Sequence, residues 1–114
     1  MQTSLFTGEE LANQGIKKAI NHAERDIPGW ATLAFECLKS YLRFCPPDHE
    51  FMAEDVRKFS QSTYFLVVPE PPSLRAWGGI MRKAQGAKLI RAIGTRKVVN
   101  PTAHGANATL WIKN

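Results

Sequence analysis

The chain has 114 residues, of which 44% are hydrophobic and 22% charged, a composition typical of one globular domain and not of a disordered chain. No apolar run reaches about 18 residues and residues 1–7 lack a signal-peptide pattern, so we expect an unexported, cytoplasmic protein with no membrane partner. The charge is divided unevenly. Residues 71–114 carry eight Lys or Arg and no acid, whereas the first seventy hold ten acids and seven bases. A region of one sign predicts a polyanionic partner, and the phosphate backbone of nucleic acid is the first candidate.

Two helices are predicted before residue 47. The capping-box sequence Thr7-Gly8-Glu9-Glu10 predicts a first helix that ends near Asp26, ahead of Pro28. The second extends from just after Pro28 to Pro46-Pro47 and carries an apolar stripe at i, i+3, i+4, i+7 spacing, predicted to be core. The stripe consists of Trp30, Leu33, Ala34, Cys37, Leu38, Tyr41, Leu42 and Cys45. Its two cysteines lie about 12 Å apart along a helix, which predicts reduced thiols.

Two further helices are predicted around a rigid, proline-rich connection at residues 60–72. The first is a short helix over residues 51–59. Ser73 is the predicted N-cap of the second, which reaches about Gln85, with Gly86 as C-cap and with Leu74, Trp77, Met81 and Ala84 on its inner face. Inside it, Gly78-Gly79 costs roughly 1 kcal/mol per glycine relative to alanine. Close approach to another helix or to DNA would compensate, and a break in the helix is the alternative.

The C-terminal part predicts a β-hairpin. Residues 88–93 and 97–99 are expected to be strands joined by a turn at Gly94-Thr95, and a loop over residues 100–107 leads to a last strand at 108–112. The predicted fold class is therefore mainly α with a C-terminal β-hairpin (α+β).

The order of short helix, turn, second helix and hairpin between residues 51 and 111 resembles winged helix-turn-helix domains. The residues that carry the resemblance are Phe-Met-Ala-Glu-Asp-Val-Arg at 51–57, Pro-Pro-Ser-Leu-Arg-Ala-Trp-Gly-Gly-Ile-Met-Arg-Lys-Ala at 71–84, Ala-Lys-Leu-Ile-Arg-Ala-Ile-Gly-Thr-Arg-Lys at 87–97 and the strand at 108–112. The most similar members are small phage and prophage proteins with an Ala-Trp-Gly helix before a Leu-Ile strand. The resemblance implies a single domain over 1–114, with a winged-helix-like region at 51–114. Its N-terminal helices, within residues 1–47, would pack on the helix-turn-helix as a support or as a dimer element.

Such a domain places its second helix in the major groove of double-stranded DNA and its wing against phosphates. On this basis Arg75 is expected to meet a guanine edge, Arg82 and Lys83 to meet phosphates, and Ser73 at the helix start to hold a phosphate oxygen. The full set of predicted DNA-binding residues is Ser73, Arg75, Gly79, Arg82, Lys83, Arg91, Arg96 and Lys97. No aromatic platform is evident beside the basic residues, which favours duplex over single-stranded ligands. The expected role is a phage or prophage regulator or a replication accessory protein.

The sequence contains only partial matches to the motifs of enzyme active sites. His22-Ala23-Glu24 resembles part of the zinc deaminase motif, but the accompanying Pro-Cys-x-x-Cys is absent. A magnesium site is conceivable from Asp48, Glu50, Glu54 and Asp55, although the last two most simply supply negative charge at a helix N-terminus. We therefore expect no enzyme, metal, cofactor or small-molecule substrate. The rival hypothesis is a protein-interaction module on the same scaffold, an adaptor or inhibitor of a host or replication protein. The first helix is the expected contact of a possible homodimer.

Overall fold

A computed structural model describes residues 8–62, 68–97 and 107–114 of the chain. Over these ranges the chain forms four helices and a three-stranded antiparallel sheet, which confirms the predicted α+β class. The elements are α1 (Gly8–Asp26), α2 (Trp30–Phe44), β1 (Glu50–Phe51), α3 (Ala53–Ser60), α4 (Arg75–Gly86), β2 (Ile90–Lys97) and β3 (Asn107–Lys113). None of the helices within these ranges has the length and apolarity needed to cross a bilayer. The predicted cap at Thr7 lies outside the described residues.

The helix α2 lies at the centre of the core, as its apolar stripe predicts. Trp30 is fully buried, and its ring meets that of Trp77 edge-on at a centroid distance of 5.4 Å. The indole N–H of Trp30 donates to the carbonyl oxygen of Pro69 at 2.9 Å, which fixes the proline-rich connection against the helix. Leu33 was expected in the core but is 40% exposed. The buried face of α2 includes Ala34, Leu38 and Leu42, and Leu33 lies at the edge of this face.

Both cysteines are buried free thiols, as predicted. Desolvation by the surrounding core raises the pKa of Cys37 from its ordinary value of 9.0 to about 11. The pKa of Cys45 is also raised, mainly by burial. At neutral pH both side chains are therefore protonated and act as small apolar groups.

The short helix predicted at residues 51–59 is present as α3, but it begins two residues later. Phe51 instead belongs to β1, where its backbone pairs with Trp111 and its side chain is buried. Met52 is the N-cap residue, and the Asp55 carboxylate accepts a hydrogen bond from its backbone N–H at 2.8 Å. Asp55 thus satisfies a helix-end donor at a position where no Ser or Thr is available.

The sheet has the order β1-β3-β2, with both neighbours antiparallel to β3. The turn predicted at Gly94-Thr95 is wrong, because β2 continues through it. Ala92 lies opposite Trp111 and Gly94 opposite Leu110, so Ile93 is the extra residue of a β-bulge. Gly94 has a φ of 155°, a backbone conformation that glycine adopts easily. Here it follows the extra residue of the bulge and does not form a turn. The predicted strand residues 98–99 and nearly all of the predicted loop at 100–107 lie outside the described residues.

The N-terminus of α4 differs from the prediction. The helix begins at Arg75 after Leu74, and Ser73 lies one residue before the N-cap. The Ser73 hydroxyl oxygen accepts from the Arg75 N–H at 3.3 Å, and its carbonyl oxygen accepts from the Ala76 N–H at 3.1 Å. Leu74 was expected on the inner face but is 44% exposed, because it precedes the first full turn.

The C-terminus of α4 also differs, since Gly86 is its last helical residue and not its cap. The left-handed position belongs to Lys88, with a φ of 62°. The Lys88 N–H donates to Gln85 at 2.9 Å, and the Leu89 N–H donates to Ala84 at 3.0 Å. This is the hydrogen-bond pattern of a Schellman motif, in which the left-handed residue is usually glycine. The motif turns the chain from α4 into β2 and places a lysine where most side chains are strained.

Candidate nucleic-acid interface

The outer face of α4 carries the predicted basic residues. Arg75, Arg82 and Lys83 are exposed. At 100° per residue, Arg75, Gly79 and Arg82 fall within about 60° of one another on the helix. The opposite face is buried and consists of Ala76, Trp77, Ile80, Met81 and Ala84. The sequence therefore predicted correctly which basic side chains of α4 point away from the core.

Gly79, expected on this outward face, is buried beneath α1. A Cβ added at Gly79 would lie 2.8 Å from Ile16 Cγ2 and 3.0 Å from Ile20 Cγ1, and closer still to Ile20 Cδ1. Such approach is possible only because glycine has no side chain. Gly79 therefore marks close packing of α4 on α1, and α4 is continuous through both glycines. The middle of the face predicted to meet DNA is occupied by α1.

Both arginines of α4 lie beside α1. Arg75 Nη1 would lie 3.3 Å from a Cβ added at Gly15. Arg82 lines a cavity of about 190 Å³ together with Ile16, Gly78 and Thr109. Arg75 and Arg82 thus lie beside α1, whose isoleucine side chains pack on α4 at Gly79, between the two arginines.

The hairpin adds two exposed arginines to the candidate interface. Arg91 Nη1 donates to the side-chain oxygen of Asn114 at 3.3 Å. Arg96 forms an ion pair with Glu50 at 2.9 Å, with 56% and 46% of the two side chains exposed. A pair this exposed contributes about 0–1 kcal/mol, so a phosphate can replace Glu50 at little cost. Lys97 ends β2, and its side chain lies outside the described part of the structure.

An aromatic ring does lie among the basic residues, so the prediction that none does was wrong. Phe35 of α2 is half-buried, with Lys83 Nζ 4.5 Å and Lys39 Nζ 5.2 Å from its ring centroid. Both distances are within the range of cation–π contacts. The pattern was missed because Phe35 and Lys83 are far apart in the sequence and meet only where α2 packs on α4.

Beyond Lys39 lies a second group of cations, which we call the basic cleft. It has a volume of about 450 Å³ and is lined by Lys39, Leu42, Arg43, Lys88, Leu89, Lys113 and Asn114. Lys113 is half-buried, and its ammonium donates to the carbonyl oxygens of Leu42 at 3.2 Å and Cys45 at 2.8 Å. It thereby satisfies acceptors left free at the end of α2. The only local sign of the cleft in the sequence was the basic residue in the last turn of α2, Arg43.

Three of the four carboxylates that were considered as a magnesium site have other partners. Glu50 pairs with Arg96, Asp55 caps α3, and Glu54 lies 3.5 Å from Lys58. Within the described ranges, no group of three or more His, Cys, Asp or Glu side chains is placed to hold a metal ion.

Comparisons of the chain with protein-family models, with curated proteins and with solved structures give no match.

Proposed function

We propose that the protein binds double-stranded DNA through the exposed basic side chains of α4 and β2. The observation that carries this proposal is that Arg75, Arg82 and Lys83 project from α4 while the opposite face of the same helix is packed in the core. Arg91 and Arg96 extend the positive surface along the hairpin. Cations arranged in this way neutralise phosphates and release counterions, the main source of affinity for a duplex.

The order of the elements supports a winged-helix-like reading of the fold. From α2 onward the chain runs α2, β1, α3, α4, β2, β3, and the short β1 pairs with β3 on the side opposite β2. In this reading α3 and α4 form the helix-turn-helix, α4 is the recognition helix, and β2 with β3 forms the wing. The role that fits such a domain is a phage or prophage regulator or a replication accessory protein.

The position of α1 decides which DNA contacts are available. Arg75 is closest to the start of α4 and is assigned to a guanine edge, whereas Arg82 and Lys83 are assigned to phosphates. Because α1 covers Gly79, the central turn of α4 cannot approach base edges unless α1 shifts. Ser73 contributes least, since the Arg75 N–H, which would otherwise be free for a phosphate oxygen at the helix start, already donates to the Ser73 hydroxyl. We therefore assign most of the affinity to phosphate contacts.

The test is fluorescence anisotropy of a labelled mixed-sequence duplex at several salt concentrations. A slope of log affinity against log salt of roughly −4 to −6 is expected for about five or six neutralised phosphates. Arg82→Ala and Lys97→Ala should weaken binding to all duplexes alike, whereas Arg75→Ala should remove preference for a particular site. Lys58→Ala on α3 is the charge-matched control. If Arg75→Ala, Arg82→Ala and Lys97→Ala all bind with affinities within twofold of the wild type, this interface is refuted.

A second candidate function is protein binding, and the covered centre of α4 favours it. Among the residues whose burial the structure describes, four large apolar side chains are also exposed at the surface: Leu33, Phe44, Leu74 and Ile93. A second copy of the chain is the simplest partner, because a sequence-specific DNA-binding domain of this size commonly gains contacts by dimerisation. Sedimentation at micromolar concentration, with and without duplex, tests this; a monomer under both conditions excludes the homodimer.

A further inference from the structure

The basic cleft brings cations together from parts of the chain that are distant in sequence. Lys39 and Arg43 come from α2, in the half of the chain that is acidic overall, whereas Lys88 follows α4 and Lys113 ends β3. Leu42 and Leu89 form its apolar floor. Four positive groups around one concave surface repel one another in the folded protein, so a bound anion would stabilise this arrangement.

Internal acids neutralise little of this charge. Lys39 pairs with Glu36 at 2.6 Å. Among the described residues, no carboxylate forms an ion pair with the other three cations of the cleft. Lys113 is held by two carbonyl oxygens, which orient its ammonium but carry no full charge. Arg43 and Lys88 are exposed, and within the described residues neither would have to leave an ion pair to reach a ligand.

The backbone of Lys88 gives an independent reason to assign a role to the cleft. A non-glycine residue with a φ of 62° is strained, and the Schellman position it occupies favours glycine. Glycine there would preserve the turn and its hydrogen bonds. The lysine keeps an exposed cationic side chain in the lining of the cleft at the expense of local stability, as is often found for strained residues at binding sites.

A line of cations connects the cleft to the proposed DNA-binding face. Lys83 on α4 and Lys39 at the cleft both contact the ring of Phe35, so positive charge continues from α4 across an aromatic ring into the cleft. Closely spaced cations of this kind can each neutralise one phosphate of a continuous nucleic-acid backbone.

We propose that the basic cleft is a second anion site and that it binds phosphate groups of a nucleic-acid backbone extending past the α4 face. This inference depends on the proposed function only in taking DNA as the polyanion. Each residue has a distinct part. Arg43 can hold two phosphate oxygens with its planar guanidinium, Lys88 supplies a mobile point charge, and Lys113 adds a fixed charge at the base of the cleft.

The experiment compares the double variant Arg43→Ala/Lys88→Gly with the wild type, using the labelled duplex at several salt concentrations. Each lost phosphate contact should reduce the salt slope by about 0.9 and weaken binding about fivefold at physiological salt, so the double variant should bind roughly 30-fold more weakly. Lys88→Gly alone should also melt at a higher temperature than the wild type, because it relieves the left-handed strain. Weaker binding by a more stable protein cannot be explained by misfolding.

Two further variants, Lys58→Ala and Arg75→Ala/Arg82→Ala, separate this inference from the proposed function. Lys58→Ala removes one exposed charge outside both surfaces and should leave affinity within twofold. If Arg75→Ala/Arg82→Ala loses affinity but the cleft variant does not, the second site is refuted and the α4 interface stands. If only the cleft variant loses affinity, the cleft is supported and the α4 interface is wrong.

A membrane surface presents the same phosphate chemistry and is tested separately. Vesicles of equal parts phosphatidylglycerol and phosphatidylcholine are sedimented with the wild type and with the cleft variant. If the wild type binds the vesicles through the cleft but binds no duplex at about 50 mM salt, the nucleic-acid inference is overturned. If it binds neither probe, both the inference and the proposed function are overturned.

Discussion

The packing of α1 on α4 predicts opposite effects for the same substitution at two neighbouring positions. In Gly79→Ala the new methyl group would lie 2.8 Å from Ile16 Cγ2 and 3.0 Å from Ile20 Cγ1. The branched isoleucine side chains have few alternative rotamers in a helix, so α1 and α4 must move apart. Overpacking of this kind costs about 1–3 kcal/mol, and the higher helix propensity of alanine offsets about 1 kcal/mol of it.

Gly78→Ala is the matched control. Its methyl group would lie 3.9 Å from Ile16 Cδ1, an ordinary van der Waals contact, so it should stabilise the protein by about 0.5–1 kcal/mol. The two variants should then differ by roughly 2 kcal/mol, or about 8 °C in melting temperature for a domain of this size. Urea and thermal denaturation followed by circular dichroism measure both. If Gly79→Ala were as stable as Gly78→Ala, α1 would not pack on α4 as described.

Three other substitutions test separate parts of the structure. Glu50→Gln frees Arg96 from its ion pair and should raise duplex affinity about two- to fivefold in anisotropy, with under about 1 kcal/mol change in stability; unchanged affinity would exclude Arg96 from the interface. Burial raises the pKa of Cys37 from 9.0 to about 11, so its contribution to stability is complete below pH 9 and is lost as the pH rises through 11. Over this pH range the free energy of unfolding, measured by denaturation, should fall less steeply for Cys37→Ala than for the wild type. Equal slopes would contradict the raised pKa of Cys37. Trp30→Phe removes the hydrogen bond to Pro69 and should cost about 2–3 kcal/mol in urea denaturation, whereas a loss under about 0.5 kcal/mol would show that this contact does not hold the connection.

The helices were predictable because their signals are local. The apolar stripe of α2 and the prolines on either side of it define that element within one or two residues. Errors arose where backbone geometry depends on distant partners. Gly94 is typical of a turn, yet pairing of β2 with β3 extends the strand through it and makes a bulge. Gly86 is typical of a C-cap, yet hydrogen bonds from the following residues assign the left-handed position to Lys88.

The candidate site was predictable only in part, for a similar reason. Periodicity along one helix indicates that Arg75 and Arg82 point outward, but not that α1 covers Gly79 between them. Nor does the division of the sequence into an acidic and a basic half persist in space. Arg43 from the acidic half joins the basic cleft, and Glu50 from the same half neutralises Arg96. The linear distribution of charge therefore does not show which charged side chains share one surface of the folded protein.

The central place of β3 in the sheet has a consequence for the order in which the chain can fold. Phe51 follows α2 closely in sequence, but its backbone partner, Trp111, is made long afterwards. During synthesis α1 and α2 can form and pair early, whereas the edge at β1 must stay open until the last strand leaves the ribosome. Closing this loop late carries an entropic penalty, so we expect formation of the β1–β3 pair to limit the folding rate. Until β3 emerges, the ring of Phe51, which is buried in the folded protein, is exposed at this open edge.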